Sequence, residues 1–416
     1  MNNNPRSAYL HIPFCHRRCF YCDFAVVPLG DKANGVNGPG SNSIKTYLEL
    51  LHREIALIKE GSPLSTIYFG GGTPSLLTPV QISSLLRHLQ QIFGFQDGVE
   101  ITLEVDPASF DKNSLEEFLE IGINRLSLGG QSFDDDLLLQ IGRRHNRKQL
   151  IQSCEWIDQM FRIGQLRSWS LDLIQNLPGH DLLFWKSQLL QALEVSAPHL
   201  SIYDLSVEPG TVFYRKKLKG ELSLPNEDTS IGIDRLTKSL LSEVGYSRYE
   251  ISNYALPGHA SRHNRVYWSG AGWWGFGMGA TSAPWGARFS RPRTRDGYEK
   301  WLESQEKKGL EPSLEMPNAR PIDLDEQLMV GLRRREGVNL FEIGRNWGWS
   351  TDKCGEYLDA LDLRWKNFYE KGLIIKNGNR TLLTDPEGME ISNQIIVEMF
   401  LWWDSLPNDA LLPPIS

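Results

Sequence analysis

Through its first two thirds the chain alternates short runs of apolar, β-branched and aromatic residues with longer stretches in which apolar residues return every three or four positions. The short runs read as strands and the longer stretches as amphipathic helices, and their alternation predicts a parallel sheet with crossover helices. The strands expected are Ala8–Ile12, Thr66–Phe69, Ile101–Val105, Asn124–Leu128, Trp169–Ile174 and Leu200–Leu205. These strand–helix units fit an α/β architecture, an incomplete (β/α)6 barrel. The first helix is expected over Ile44 to Lys59, after a glycine-, Asn- and Ser-rich surface insertion spanning Leu29–Ser43. From Gly286 to about Asp325 the pattern turns polar and charged, with Arg291-Pro292-Arg293 and one helix near Tyr298–Lys308, and reads as a connecting segment. Helical periodicity resumes from Glu326 to about Phe400. It is interrupted by two apolar runs on either side of Asn377-Gly378, a strong hairpin signal. The division expected is 1–285 for a core domain, 286–325 for the connection and 326–416 for a C-terminal domain of helices and a hairpin.

Composition narrows the class. Hydrophobic residues make up 40% and charged residues 23% of the 416, which is ordinary for a soluble globular protein with ample core. The formal net charge of −7 gives no general attraction to nucleic acid or an anionic membrane. In the C-terminal region Asp352, Glu356, Asp359 and Asp362 interrupt the basic residues, so a lid or docking role is expected there rather than DNA binding. No apolar run reaches the roughly eighteen residues that an integral membrane segment needs. The polar start, Met1 to Arg6, lacks the apolar core of a signal peptide. Cys154 and Cys354 stand alone in helical runs and read as reduced thiols, which places the chain in a reducing cytoplasm.

The other three of the five cysteines, Cys15, Cys19 and Cys22, fall in one loop in a C-x3-C-x2-C spacing after the first strand. Loops that bind ligands belong at that end of parallel strands. Thiolates so spaced converge on one soft metal centre, yet they are one short of a closed zinc site or a fully cysteine-ligated cubane. No histidine stands at a zinc-finger distance, and His16 lies inside the first interval. A [4Fe-4S] cluster on three cysteines keeps one iron open for chemistry. The stretch resembles the signature of the radical S-adenosylmethionine (SAM) superfamily, in which SAM chelates that iron. The flanking Tyr9-x-His11-Ile12-Pro13-Phe14 and Tyr21-Cys22-Asp23-Phe24 resemble the group that holds oxygen-independent coproporphyrinogen III oxidases and HemW-type haem chaperones.

Further segments fit that resemblance. Gly70-Gly71-Gly72-Thr73-Pro74 ends the second strand, where glycines let backbone approach a ligand and offer amides to an anion. The resemblance implies that Gly72 and Thr73 meet the methionine end of SAM. It implies SAM contacts for Glu104, Gln131, Arg143 and Asp172, with Tyr9 and Tyr21 close by. A guanidinium such as Arg143 suits a carboxylate, because its fork pairs with both oxygens. Gly130 departs from the valine common among relatives, while Gln131 is kept. His263-Asn264-x-x-Tyr267-Trp268 resembles the HNxxYW motif of HemW-type proteins and marks His263 as the residue implicated in haem binding. Trp273, Trp274, Phe276 and Trp285 follow it, and flat aromatic walls beside a histidine suit a porphyrin plane. His145 and His259 have no comparable context. The C-terminal helices and hairpin resemble the winged-helix-like domain of the same group.

Three functions compete. A HemW-type haem chaperone would hold cluster, SAM and haem and pass haem to an acceptor protein, with a reductant such as ferredoxin or flavodoxin feeding the cluster. A coproporphyrinogen III dehydrogenase would use a SAM-derived radical to decarboxylate two propionates. A radical SAM methyltransferase would act on some other substrate. Phe24 stands where the dehydrogenases carry a further cysteine, and the chain lacks their longer N-terminal segment. The His263 motif favours the chaperone.

Overall fold

Along each core strand the side chains divide by face, and this division builds the site. In the computed structural model, which describes residues 5–30, 39–284, 287–308 and 320–411, the core strands are β1 (Ser7–Ile12), β2 (Leu64–Gly71), β3 (Phe95–Val105), β4 (Arg125–Gln131), β5 (Ser168–Gln175) and β6 (His199–Asp204). They run parallel and pair in chain order. Leu10, Ile67, Leu103, Leu126, Leu171 and Leu200 are wholly enclosed, in one apolar cluster with Leu51, Leu85, Ile157 and Leu189 of the crossover helices. The alternate positions are polar and sit side by side. Tyr9 pairs with Tyr68 and Tyr68 with Thr102, while Ser127 lies between Glu104 and Ser170, and Asp172 beside Ser201. A parallel sheet with apolar residues on both faces would be covered by helices on both; here the second face is left to chemistry.

Short strands extend both edges. β7 (Ser247–Arg248) and β8 (Asn253–Ala255) add antiparallel beside β6, and β9 (Trp274–Phe276) adds parallel beside β1. The order is β9-β1-β2-β3-β4-β5-β6-β8-β7, an open sheet rather than a closed barrel. β9 corrects the expected aromatic wall. Trp274 and Phe276 are buried core residues against Phe93, with ring centroids 6.1 and 6.3 Å away. Trp285 lies outside the described residues.

Helix boundaries follow local chemistry. Capping boxes open the helices Pro79–Phe93 (Thr78 with Gln81) and Arg147–Arg162 (Asn146 with Gln149). The first helix spans Pro39–Ile55, not Ile44 to Lys59. It unwinds early because the Leu57 and Ile58 amides donate to carbonyls three residues back, Glu54 and Ile55. Of the expected Leu29–Ser43 insertion, residues 31–38 lie outside the described residues.

Residues of the expected connecting segment are tied to the first helix of the sheet domain. Arg291 is fully enclosed, as is Glu54, and Arg291 Nε donates to Glu54 at 2.6 Å. The Tyr298 hydroxyl and the Gly277 amide also donate to Glu54, at 2.6 and 2.7 Å. Beyond it, the helices Leu324–Leu332, Leu340–Asn346 and Thr351–Arg364 and the hairpin Ile374–Asn377/Arg380–Leu383 share a second apolar cluster around Leu328, Leu361, Trp365 and Met399. Ion pairs Arg235–Glu390, Lys238–Asp385 and Arg265–Glu336 join this cluster to the sheet domain. No helix among the described residues is long and apolar enough to cross a membrane.

Candidate functional site

β1 delivers the chain into the cysteine loop, and backbone contacts pin that loop at several points. Phe14–Cys15 pairs with Val27–Pro28, the Phe20 amide donates to Ile141 O at 2.9 Å, and Arg17 donates to the carbonyls of Gly142 and Arg143 at 3.2 and 3.0 Å. Cys15, Cys19 and Cys22 then line one wall of a cavity of about 500 Å³ at the C-terminal ends of the strands. Tyr21, Gly72, Thr73, Glu104, Gln131, Arg143 and Asp172 line the same cavity, so all the expected site residues meet there except Tyr9 and His263.

Each sulfur faces a donor. The Thr73 hydroxyl is directed at Cys15, Arg143 Nη1 stands 3.7 Å from Cys19 Sγ, and the Phe24 amide serves Cys22. Burial pushes the Cys15 thiol up to about 12 and raises that of Cys22, so as thiols they are held protonated. Donors aimed at sulfur tune a thiolate-bound centre and do little for a plain thiol. Among the described residues no three His, Cys, Asp or Glu side chains converge on a point as they would around one metal ion. A cubane spreads its ligands over separate iron corners, so thiols that share a cavity without converging fit a [4Fe-4S] cluster better than zinc.

The amides of the glycine run are engaged within the protein. The Gly71 amide donates to Glu104 Oε2 at 3.0 Å, Gly72 to Ile12 O at 2.8 Å and Thr73 to Phe14 O at 2.7 Å, so these amides are already spent within the protein. A Cβ on Gly72 would lie 2.6 Å from Phe14 O. The glycine is there so that two loops can touch. Glu104 accepts from Tyr68 as well, at 2.9 Å. Burial pushes its carboxyl up to about 7 against those hydrogen bonds, with Asp172 adding to the rise. Asp172 is raised too, by burial, although Ser127 and Ser170 donate to it at 2.8 and 2.6 Å. A carboxyl poised as that of Glu104 is can both give and take hydrogen bonds, which suits a neutral diol.

Arg143 already has a protein carboxylate. Nη2 contacts Asp106 at 2.5 Å and Gly129 O at 2.6 Å, which fixes the guanidinium between cluster loop and sheet. Burial would raise the Asp106 carboxyl, and Arg143 beside it turns the net shift downward. Asp106 was not singled out in the sequence, although its position two residues past Glu104, on the same side of an extended segment, was a usable signal. Ser127, Tyr203 and Glu208 also line the cavity and carry no motif. Gln131 sits at φ 64°, a left-handed conformation costing a non-glycine residue about 1–3 kcal/mol. Its buried Oε1 has no hydrogen-bond partner among the described residues. Strain and an unmet acceptor at one cavity residue make Gln131 a candidate ligand contact.

At Gly130 a Cβ would stand 2.8 Å from Leu171 Cδ1 and 3.1 Å from Leu150 Cδ1, so these leucines fill the volume that a valine would occupy. Gly130→Val is expected to lower stability by about 1–3 kcal/mol through overpacking, measured by chemical denaturation, and shortening Leu171 in the same chain is expected to restore part of it.

Tyr9 and His263 lie elsewhere. Tyr9 lines a second cavity of about 280 Å³ with His11, Phe24, Tyr267, Trp273 and Arg293. Its hydroxyl meets His11 Nδ1 at 3.0 Å, and His11 Nε2 meets Ala25 O at 2.8 Å. His263, on the helix Arg262–Ser269, is completely buried, with Nδ1 2.8 Å from Thr66 Oγ1 and Nε2 2.8 Å from the Tyr267 hydroxyl. Burial pushes its imidazole down to about 3, so it is neutral. Tyr68 lies between the cavities, stacked on His263 at 5.0 Å and bonded to Glu104. His145 and His259 are bonded to Gly130 O and Ser168 Oγ, each at 3.0 Å.

Residues 9–175 match the family described as the Radical SAM superfamily. The chain is 39% identical to the heme chaperone HemW of Synechocystis sp., covering 95% of this chain and 96% of that protein. It is 34% identical to HemW of Bacillus subtilis over 94% and 98% of the two chains. It is 31% identical to the mitochondrial radical S-adenosyl methionine domain-containing protein 1 of Danio rerio over 98% and 86%. Among solved structures, the coproporphyrinogen III oxidase HemN of Escherichia coli, a radical SAM enzyme, is similar with a TM-score of 0.76 at 20% identity, over 96% of this chain and 90% of that one. At that identity the likeness speaks for the fold alone.

Proposed function

The chain belongs to the HemW group of the radical SAM superfamily, and on that premise we propose that it is a haem chaperone that holds a [4Fe-4S] cluster and SAM and transfers haem to an acceptor protein. The observation that carries this reading is the nearly end-to-end likeness to proteins named heme chaperones. In this reading Cys15, Cys19 and Cys22 hold the cluster. Thr73, Arg143 and the Phe24 amide stabilise their thiolates, and Asp106 keeps Arg143 in place. Glu104, Asp172 and Gln131 meet SAM, with Tyr21 and Gly72 shaping the wall. The cluster, when bound, supplies one-electron chemistry to SAM. A one-electron reductant, the acceptor protein and a cytoplasmic setting complete the proposal.

One observation weighs against a coproporphyrinogen dehydrogenase: Phe24 lines the cavity where those enzymes carry a further cysteine. An anaerobic haem titration of the reconstituted protein, followed by absorbance, is expected to reach stoichiometric binding. Coproporphyrinogen III with SAM and dithionite is expected to give no product. Turnover without haem binding would overturn the reading.

Glu104→Gln keeps the shape but removes the charge and replaces one of its two acceptor oxygens with a donor. Calorimetry is expected to show SAM binding weakened about 10–100-fold, the scale of one hydrogen bond to a charged group. Unchanged affinity would remove Glu104 from the SAM site.

A further inference from the structure

The residue that resemblance ties to haem offers haem no free nitrogen. His263 is enclosed, and both ring nitrogens are engaged, by Thr66 at 2.8 Å and by Tyr267 at 2.8 Å. A phenol is a better proton donor than an aliphatic hydroxyl, so the favourable arrangement has Tyr267 donating to Nε2 while Nδ1–H donates to Thr66. The Tyr267 oxygen is thereby set beside a base. Tyr267 stands one helical turn beyond His263 and, unlike it, lines the cavity of about 280 Å³. Its ring packs edge-on against Trp273 at 5.0 Å, which fixes its direction. Phe24, 57% exposed, and the exposed Arg293 line the same cavity.

We propose that Tyr267, not His263, binds the iron of ferric haem, and that His263 is the positioning residue that orients the tyrosine's oxygen. The inference rests on the haem-chaperone reading. The phenol O–H bond breaks, an oxygen–iron bond forms, and a hydroxide held by the ferric iron takes the phenol proton and leaves as water. No electron is transferred. His263 stays neutral, as its burial requires, and holds the tyrosine oxygen in place through Nε2. Tyrosine is an established axial ligand of ferric haem. Trp273 and Phe24 supply apolar surface for the macrocycle, and Arg293 supplies a guanidinium for a propionate. At about 280 Å³ the cavity is smaller than the roughly 300–1,000 Å³ usual for ligand pockets, so it covers part of the macrocycle and leaves the rest exposed, as handing over requires.

The test is electron paramagnetic resonance and resonance Raman spectroscopy of the cluster-loaded protein with one equivalent of ferric haem. The unaltered chain is expected to show a high-spin iron with an iron–phenolate vibration. Tyr267→Phe is expected to lose that vibration and to weaken haem binding at least about tenfold, with cluster content unchanged. Tyr267→His is expected to convert the spectrum to imidazole ligation, an outcome that a purely structural tyrosine would not give. His263→Gln is expected to keep the phenolate signature with binding weakened severalfold. Imidazole ligation in the unaltered chain that survives Tyr267→Phe and disappears in His263→Gln would overturn this inference while leaving haem carriage intact. A chain that binds no haem at all would overturn both.

Discussion

A Cys19→Ser chain reconstituted with iron and sulfide under anaerobic conditions is expected to hold both at background level, without the broad visible absorption that the unaltered chain acquires. The expectation is all-or-none because the loop supplies only three thiols. Serine's oxygen is a poor ligand for an iron–sulfur centre. Cys19 is also the sulfur that Arg143 approaches, at 3.7 Å, so the substitution removes a ligand and the sulfur that this cation faces, while Asp106 still holds Arg143. Folding is expected to be nearly untouched. Cys19 is half-exposed, and near-isosteric changes at such positions usually stay within about 0.5 kcal/mol. Cluster uptake equal to that of the unaltered chain would show that the centre is held elsewhere.

The largest expected effect on stability lies away from that cavity, at Arg291. Replacing it with leucine leaves Glu54 fully enclosed, with only the Tyr298 hydroxyl and the Gly277 amide as partners. Breaking a buried pair by removing one member costs about 3–5 kcal/mol, chiefly because the remaining charge is stranded. A denaturant midpoint shifted by that much is expected for Arg291→Leu. Taking the charge off both sides, Glu54→Gln with Arg291→Met, is expected to recover most of the loss, since a matched uncharged pair avoids the desolvation cost. If the double variant were no better than the single one, the pair's packing, such as Arg291 over Phe289 at 4.8 Å, would be the cause instead of its charge.

What could be read from the residues was what local pattern encodes. The core strands were legible because each alternates an apolar position facing the helices with a polar one facing the cavity. The cluster loop was legible because ligand spacing along the chain is itself the signal. Contacts set by tertiary approach were not. Arg291 read as part of a polar connection because its partner Glu54 lies on the first helix, 237 residues away in sequence. The Gly71, Gly72 and Thr73 amides looked available because the atoms that consume them arrive from β1 and β3. Trp274–Phe276 is too short to announce itself as a strand, and its aromatic side chains read equally well as a porphyrin wall. Asp106 gave no sign that Arg143 was its partner. The His263 motif was visible, but which of its members faces the cavity depends on the helical turn that puts Tyr267 there.

The partition of the sheet into an apolar face and a polar face has an evolutionary consequence. Leu10, Leu103, Leu126 and Leu171 hold the architecture, while Tyr68, Glu104, Ser127 and Asp172 decide what is held, and neighbours in sequence belong to opposite sets. Selection can therefore act on the two inventories separately. A lineage can exchange cargo by rewriting every second position of a few strands, keeping a scaffold whose foldability has already been secured.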